Sequence, residues 1–279
     1  MHNYERIWLT YDRIFVTILL VISMKKVERL SWILKEIRQE GSVSVKYLAR
    51  MLGVSEPTIR RDIQELLQMT KLPIKRVHGG LILDVNKGSI EPMFETKLSL
   101  MREEKRRIAM RALEYIEDGD SILLDSGTTS FYLARLLHKR QGLKIVVADV
   151  KIAEELAGFS DIETYVIAGN VRPGYYSIGG TMAEEIIKRF KVEKAFLTAD
   201  AVDPETGVTN FSMFEVGVKR AIVKAGKQVI LIADHSKIGK KGFVKVCDLS
   251  EVDIFITSKG ADPELLKKIS ELSVVIDQV

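Results

Sequence analysis

Short apolar runs alternate with helical patterns through the carboxyl-terminal part of the chain, and this alternation restricts the fold more than any other feature. The runs cover residues 122–124, 145–148, 164–167, 195–198, 229–233 and 254–257. Helical patterns of roughly ten residues fall between several of them. Strands that are separated by helices form parallel sheets. The sequence therefore predicts an α/β domain with a parallel sheet over residues 93–279.

The excess positive charge of the chain lies in one short segment. Residues 24–85 hold 12 Lys and Arg against 7 Asp and Glu, whereas the whole chain has a formal net charge of +4. The remainder of the chain is therefore close to neutral. A basic segment joined to a neutral body is typical of a module that faces nucleic acid.

Three short helices are predicted in this basic segment, and the last two form a helix-turn-helix. Gly53 supplies the turn before the third helix. The apolar residues of that helix share one face, so Arg61 points almost directly away from them. An outward arginine in this position can bind guanine in the major groove with two hydrogen bonds. The residues of this helix that we expect to contact DNA are Ser55, Pro57, Thr58, Arg60, Arg61 and Gln64.

The segment after the third helix supports a DNA-binding function. The alternative is that the charged face of this helix is simply exposed to solvent. Lys75, Arg76 and His78 lie on a basic strand that runs into Gly79 and Gly80, a pattern typical of a β-wing. A basic wing can lie against the phosphate backbone, where charge supplies much of the affinity. We predict a winged helix-turn-helix domain over residues 24–83 and a polar linker over residues 84–92.

Polar residues follow several of the predicted strands, at the edge where parallel α/β folds bind ligands. The 125–129 segment (Asp-Ser-Gly-Thr-Thr) precedes a helix, whose N-terminus favours a phosphate, although an ordinary capped turn is the alternative. For Lys219 the alternative is an exposed ion pair with Glu215, four residues earlier, and the two interpretations are equally compatible with the sequence. The residues predicted to bind an effector are Asp125, Gly127, Thr128, Thr129, Gly169, Asp200, Lys219 and Lys237.

Motifs in both halves resemble those of DeoR-type bacterial transcription regulators. In the basic half the resemblance is carried by Ser55-Glu56-Pro57-Thr58-Ile59-Arg60-Arg61-Asp62 and, further along, by Arg76-Val77-His78-Gly79-Gly80. In the neutral half it is carried by residues 125–129, 194–200, 218–220 and 233–237. The resemblance thus extends over most of the chain.

This resemblance implies an effector domain with a fold similar to ribose-phosphate isomerases and glucosamine-phosphate deaminases, adapted to bind a sugar phosphate without converting it. It implies that the 125–129 segment surrounds the phosphate, with Lys237 as its cationic partner. It also implies that Asp200 and Lys219 face the sugar.

The expected function is a DNA-binding transcriptional regulator, a repressor of a carbohydrate-use operon that a phosphorylated sugar releases. The expected partners are a double-stranded DNA operator, the sugar-phosphate effector and further copies of the chain, as a dimer or tetramer, because operators often carry paired half-sites. The alternative from another class is a phosphosugar isomerase or deaminase with an appended DNA-binding domain. In such an enzyme Asp200 or Glu215 would act as the general base.

The first 23 residues contain the most apolar run of the sequence, at residues 14–22. This run is about half the roughly 20 residues that a membrane-spanning helix needs, so no membrane partner is expected. We interpret Met24 as the true start and residues 1–23 as a mis-called upstream extension. A hydrophobic arm that packs on a partner is the alternative.

Cysteine usage indicates a reducing, cytoplasmic setting. The single cysteine, Cys247, cannot form an internal disulfide, and its apolar surroundings favour a core position. No group of Cys and His residues has the spacing of a zinc site. We therefore expect neither a metal nor a cofactor.

Overall fold

The computed structural model describes residues 25–40, 42–69, 74–77, 79–83 and 91–279. Contacts within the chain divide it into two compact units, Met1–Ser99 and Leu100–Val279. The predicted extension at residues 1–23 and most of the predicted linker lie outside the described residues, as does His78. Of Lys75 only the backbone is described.

The described part of the amino-terminal unit consists of short helices and one small antiparallel sheet. Its elements are α1 (Lys26–Glu40), β1 (Ser42–Ser44), α2 (Val45–Met51), α3 (Glu56–Met69), β2 (Ile74–Val77), β3 (Gly80–Leu83) and α4 (Phe94–Ser99). Ser44 caps α2 by accepting a hydrogen bond from the amide of Tyr47 at 3.0 Å. Ser55 caps α3 in the same way, with the amide of Thr58 at 3.3 Å. Such caps replace backbone partners that the first turn of a helix lacks.

The helices of this unit share one apolar core, and the wing is attached to it. Ile33 of α1, Leu48 of α2 and Ile59 of α3 are fully buried together. Strand β3 pairs antiparallel with β2, as a wing requires, and also with β1 on its other side. The predicted winged helix-turn-helix fold is confirmed, whereas β1 is too short to show alternation in the sequence.

The carboxyl-terminal unit is built on a seven-stranded parallel sheet with the strand order β15-β14-β12-β9-β4-β5-β6. Its strands are β4 (Ser121–Leu124), β5 (Lys144–Val147), β6 (Glu163–Val166), β9 (Val192–Leu197), β12 (Gly226–Ile232), β14 (Ile254–Thr257) and β15 (Val275–Gln278). Helix α5 (Arg102–Glu114) precedes the first of these strands, and the helices between them are α6 (Thr128–Ala134), α7 (Val150–Leu156), α8 (Thr181–Ile187), α9 (Val216–Ala225) and α10 (Pro263–Ser270). The parallel α/β class predicted from the sequence is confirmed. The six predicted runs correspond to six of these strands, and the edge strand β15 is the additional one.

Short antiparallel pairs complete the unit and were not predicted. Strands β10 (Ala201–Asp203), β11 (Gly207–Asn210) and β13 (Val244–Cys247) form one sheet, and β7 (Asn170–Val171) pairs with β8 (Ile178–Gly179). Cys247 is buried in an apolar cluster, as its surroundings in the sequence indicate. Burial raises the pKa of its thiol to about 12.

The order of the strands reverses between β4 and β9, and this reversal locates the ligand edge of the sheet. From β4 the chain adds β5 and β6 on one side, and from β9 it adds β12, β14 and β15 on the other. Ile122 packs with α5, α6 and α7 on one face, while Leu123 packs with α8 and α9 on the other. Ligands of parallel sheets bind outside the carboxyl ends of the strands at such a switch point.

Within the described residues, no helix combines the length and apolar character needed to cross a membrane.

Candidate functional site

Helix α3 presents a polar face to solvent, opposite the face that it buries. Ile59 and Ile63 are fully buried, whereas Arg61 and Gln64 are exposed. The other residues predicted to contact DNA are also accessible: Ser55, Pro57 and Arg60 are exposed and Thr58 is half-buried. The guanidinium of Arg60 lies 3.2 Å from the carboxylate of Glu56, one turn earlier. The structure thus leaves all of the predicted residues at least partly accessible to solvent.

A buried ion pair holds α3 against α1, and the sequence analysis did not identify it. Asp62, next to Arg61, accepts hydrogen bonds from Nε and Nη2 of Arg29 at 2.9 and 3.1 Å. Both side chains are largely buried, with 13% of Arg29 and 3% of Asp62 exposed. The hydrogen bonds to Asp62 raise the pKa of Arg29. Two parallel bonds from an arginine restrict orientation as well as distance, so this pair fixes the position of α3.

The wing is tied to the start of α2 by its turn. The amide of Val45 donates to the carbonyl oxygen of Gly79 at 2.7 Å. Arg76 lies in β2 opposite Leu81 of β3 and is exposed. The wing therefore presents a cation on a strand whose position is linked to the helix-turn-helix.

A buried carboxylate lies at the switch point of the large sheet. Asp125 directly follows β4 and is 1% exposed. Its Oδ2 accepts a hydrogen bond from the amide of Thr198, which follows β9, at 2.9 Å. The hydroxyl of Thr198 lies 2.9 Å from the same oxygen and 2.6 Å from the carbonyl oxygen of Ser126. Asp125 thus joins the two strands at which the strand order reverses.

Lys219 is the ionic partner of this carboxylate. Its ammonium group donates to Asp125, and it lies 3.0 Å from the hydroxyl of Thr198. Burial by itself would lower the pKa of Lys219, but the attraction of Asp125, Glu215 and Asp200 outweighs it and raises that pKa. Only 2% of Lys219 is exposed, so the alternative of an exposed ion pair with Glu215 is wrong.

Glu215 accepts hydrogen bonds from three side chains that the sequence did not predict to be its neighbours. Its Oε1 accepts hydrogen bonds from the hydroxyl of Ser177 at 2.6 Å and from Nη1 of Arg172 at 3.2 Å. Its Oε2 accepts one from the amide nitrogen of Asn210 at 3.1 Å. Arg172 also lies over the ring of Tyr175, 3.6 Å from the centroid. Arg172 and Ser177 come from the loop between β7 and β8, about 40 positions before Glu215, and Asn210 comes from β11, so no sequence spacing indicates this set.

The turn between β4 and α6 has the geometry of a close-approach loop. Gly127 has φ +144°, and a Cβ there would lie 3.1 Å from the Thr198 hydroxyl, so the position favours glycine. Thr128 and Thr129 begin α6 and are buried. The hydroxyl of Ser126 donates to Asp149, the N-cap of α7, at 2.6 Å. This link between neighbouring strand ends was not predicted.

The remaining predicted effector residues lie around the same edge. Asp200 accepts a hydrogen bond from the amide of Phe211 at 3.1 Å and lies close enough to Lys219 to raise the pKa of that lysine. Lys237 is half-buried in the short helix His235–Lys237 that follows β12. Gly169, which follows β6, is exposed. The structure thus brings Asp125, Lys219 and Asp200 together, and it places Lys237 and Gly169 after strands on either side.

No set of three or more His, Cys, Asp and Glu side chains is arranged to hold a metal ion in the part of the chain that the structure describes. The acidic residues at the switch point are instead bound by lysine, arginine, hydroxyl and amide donors. Groups of this kind suit an organic ligand with several oxygens.

Comparison with known families agrees with both halves of this description. Residues 29–87 match the DeoR-like helix-turn-helix domain, and residues 101–259, more than half of the chain, match the DeoR C terminal sensor domain. The chain belongs to the DeoR family. The resemblance predicted from the motifs is therefore confirmed. This DeoR-family chain is a DNA-binding transcriptional regulator and not an enzyme, because its relatives are named as transcriptional regulators and repressors.

Relatives in the DeoR family align along most of the chain. The "Putative sgc region transcriptional regulator" of Escherichia coli (strain K12) is 39% identical over 239 residues, which cover 86% of this chain and 91% of that protein. The "Glycerol-3-phosphate regulon repressor" of the same organism is 29% identical over 254 residues, which cover 91% and 99%. A solved ribose 5-phosphate isomerase A from Methanocaldococcus jannaschii is 16% identical with a TM-score of 0.36, over 48% of this chain and 53% of that chain. A likeness at that score carries no conclusion about activity.

Proposed function

We propose that this DeoR-family regulator represses a carbohydrate-use operon and is released from its operator by a phosphorylated sugar. The observation that carries the proposal is the set of polar groups from separate strand ends around the switch point, beside the Gly127 turn. The name of the glycerol-3-phosphate regulon repressor, which aligns over 91% of this chain, is consistent with a phosphorylated effector. Because operators often carry paired half-sites, we propose that the protein acts as a dimer or tetramer. We also propose that it acts in the cytoplasm, together with its operator DNA.

The amino-terminal unit supports sequence-specific DNA binding. The exposed face of α3 carries Arg61 with Gln64 beside it, and Thr58 lies at its first turn. Arginine and glutamine are side chains that read base edges in the major groove. Arg76, on the wing, has the exposure and charge that a phosphate contact needs. We therefore assign base recognition to α3 and backbone binding to the wing.

Arg61→Ala is expected to weaken operator binding by about 1–3 kcal/mol for each lost base contact, with little change on a scrambled duplex. Arg76→Ala should instead weaken both duplexes alike and reduce the salt slope by about 1. The measurement is fluorescence anisotropy at several salt concentrations, on an operator obtained by in vitro selection. Arg106→Ala, an exposed arginine of α5, is the matched control and should change neither duplex. Equal, sequence-independent losses for Arg61→Ala and Arg76→Ala would contradict the two roles.

The switch point supports an anionic ligand with hydroxyl groups. At the Gly127 turn, backbone amides and the hydroxyls of Thr128 and Thr129 can donate to phosphate oxygens, and Lys237 supplies a cation after another strand. The Asp125 carboxylate is already bound by Lys219 and Thr198, so its part in the phosphate site is to support the turn. We propose that the sugar lies toward Asp200, Lys219 and Gly169.

Lys237→Ala should weaken binding of the phosphorylated sugar by about 1.5–3 kcal/mol, because a charge-assisted hydrogen bond is lost. Thr128→Val should have a smaller effect, about 0.5–1.5 kcal/mol. Both variants should still bind the operator but need more sugar phosphate for release, since a ligand shifts an equilibrium only through its differential affinity. Lys188→Ala, an exposed lysine of α8, is the control.

The test is calorimetric titration of the full chain with phosphorylated sugars and their unphosphorylated parents. Parent sugars that bind as tightly as the phosphates would contradict the phosphate assignment. Turnover of any compound in the panel would contradict the assignment of the site to sensing alone.

A further inference from the structure

Within the described part of the chain, Asn210 carries a buried acceptor atom without a hydrogen-bond partner, and the hydroxyl of Ser130 in the first turn of α6 is likewise buried and unpaired. Asn210, the last residue of β11, is 1% exposed. Its amide nitrogen donates to Oε2 of Glu215 at 3.1 Å. Its Oδ1, by contrast, is buried and has no hydrogen-bond partner among the described residues. Buried polar atoms without a partner are rare in folded proteins and often mark a functional group.

The orientation of this amide is fixed by its neighbour. Glu215 accepts hydrogen bonds from Ser177 and Arg172 through its other oxygen, so the group that faces Asn210 is an acceptor. Reversing the amide would set the oxygen of Asn210 against a carboxylate oxygen, which is repulsive. Oδ1 must therefore point away from Glu215.

The backbone of Asn210 leaves it little room to move toward another donor. Asn210 pairs with Val244 of β13. A Cβ added at Gly242 would lie 2.8 Å from the carbonyl oxygen of Asn210, so the loop at Gly242 is packed directly against its backbone. The strand pairing and this loop hold the backbone of Asn210 in place, so the residue does not shift toward a donor elsewhere.

Asn210 is linked by hydrogen bonds and by its chain neighbours to residues of the proposed effector site. Glu215, to which Asn210 donates, lies one helical turn before Lys219, and Lys219 binds Asp125 beside the Gly127 turn. The next residue after Asn210, Phe211, donates its amide to Asp200. Asn210 thus lies between two carboxylates, one of which belongs to the residues assigned to the sugar.

We propose that Oδ1 of Asn210 accepts a hydrogen bond from a hydroxyl of the effector, and that Asn210 with Glu215 reads the polyol part of a phosphorylated sugar. This inference rests on the proposed function and adds a requirement to it. The effector must carry a phosphate and also a free hydroxyl that donates to Asn210. Phosphate alone, or a sugar phosphate that lacks this hydroxyl, binds more weakly.

The test uses Asn210→Leu in the full chain, because leucine has a similar volume but neither donates nor accepts hydrogen bonds. The probes are inorganic phosphate, glycerol 3-phosphate, ribose 5-phosphate, fructose 6-phosphate and galactose 6-phosphate, measured by calorimetry. For the sugar phosphate that binds the natural protein most tightly, the variant should bind about tenfold more weakly. Inorganic phosphate should bind both proteins alike, and operator binding without sugar should be unchanged.

A double-mutant cycle compares the natural protein and Asn210→Leu, each with the full sugar phosphate and with analogues that lack one hydroxyl. The analogue that lacks the recognised hydroxyl should bind the natural protein about tenfold more weakly and show no further loss with Asn210→Leu. A merely structural role for Asn210 would not produce this dependence on a single hydroxyl. Thr164→Val is the matched control, because the Thr164 hydroxyl is another buried, unpaired oxygen, but in the edge strand β6. It should leave every affinity unchanged.

The outcomes separate this inference from the proposed function. If sugar phosphates bind the natural protein and Asn210→Leu binds them equally well, the role of Asn210 is wrong and the proposed function stands. The same holds if every deoxy analogue loses affinity equally in both proteins. If no phosphorylated sugar binds while operator binding is intact, the proposed function itself is wrong, and the inference falls with it. Should thermal melting show that Asn210→Leu is unfolded, Asn210→Ala replaces it in the same cycle.

Discussion

Replacing Asp125 by alanine is expected to lower the free energy of unfolding of the carboxyl-terminal unit by about 3–5 kcal/mol, because Lys219 would remain buried without its carboxylate. Both side chains are 2% exposed, so water cannot replace the missing partner. The backbone would also lose a hydrogen bond, since the amide of Thr198 donates to the same carboxylate at 2.9 Å. The measurement is urea denaturation of the full chain, followed by a probe in the carboxyl-terminal unit.

The control for this prediction is Glu185→Ala. Glu185 forms an ion pair with Lys188 in which both side chains are about three-fifths exposed, and exposed pairs contribute about 0–1 kcal/mol. Replacing both buried partners, as in Asp125→Leu with Lys219→Met, should recover part of the stability.

Because the pKa of Lys219 is raised in the folded protein, the contribution of the pair is present at neutral pH. The contribution of the Lys219 charge is lost as the pH rises through its raised pKa. A loss below 1 kcal/mol for Asp125→Ala would show that the pair is not what joins β4 to β9.

The ends of the parallel strands could be predicted from the sequence because their signal is local. A buried parallel strand has a continuous apolar run, and the first polar residue after it marks the ligand edge. This rule identified Asp125 and Asp200 before any contact was known. The edge strand β15 has less apolar character, and the antiparallel strands β10, β11 and β13 are short and include polar residues such as Asp203, Asn210 and Lys245, so no continuous apolar run shows them.

The contacts of the site could not be predicted, because they join residues that are far apart in the chain. Asp125 and Lys219 are 94 positions apart, and Arg29 and Asp62 are 33 positions apart. The spacing of Glu215 and Lys219 indicated a local helical pair, but each binds partners that only the topology brings near. Asn210 has no sequence signal at all, since its importance lies in an oxygen atom that the fold leaves without a partner.

Asp62→Ala is expected to destabilise the amino-terminal unit by roughly 3 kcal/mol and to abolish operator binding, although Asp62 faces the core and not the DNA. The variant would leave Arg29 with 13% exposure and without the carboxylate that now binds two of its nitrogens. Helix α3 would lose its oriented contact with α1. Base contacts depend on the register of a recognition helix in the major groove, so a change in its position affects all of them together.

The matched control is Glu65→Ala, which removes a carboxylate from the same helix. Glu65 pairs with Lys26 of α1 as Asp62 pairs with Arg29. Because the Glu65–Lys26 pair is exposed, we expect a change of about 0–1 kcal/mol and intact operator binding.

The double replacement of Arg29 by Met and Asp62 by Leu separates stability from orientation. It should restore much of the stability, because an apolar pair of similar size can replace a buried ion pair. If the two parallel hydrogen bonds also fix the direction of α3, operator affinity should stay below that of the natural protein. Full recovery of both properties would show that Arg29 and Asp62 contribute packing alone, and an unchanged operator affinity in Asp62→Ala would show that the recognition helix does not depend on them.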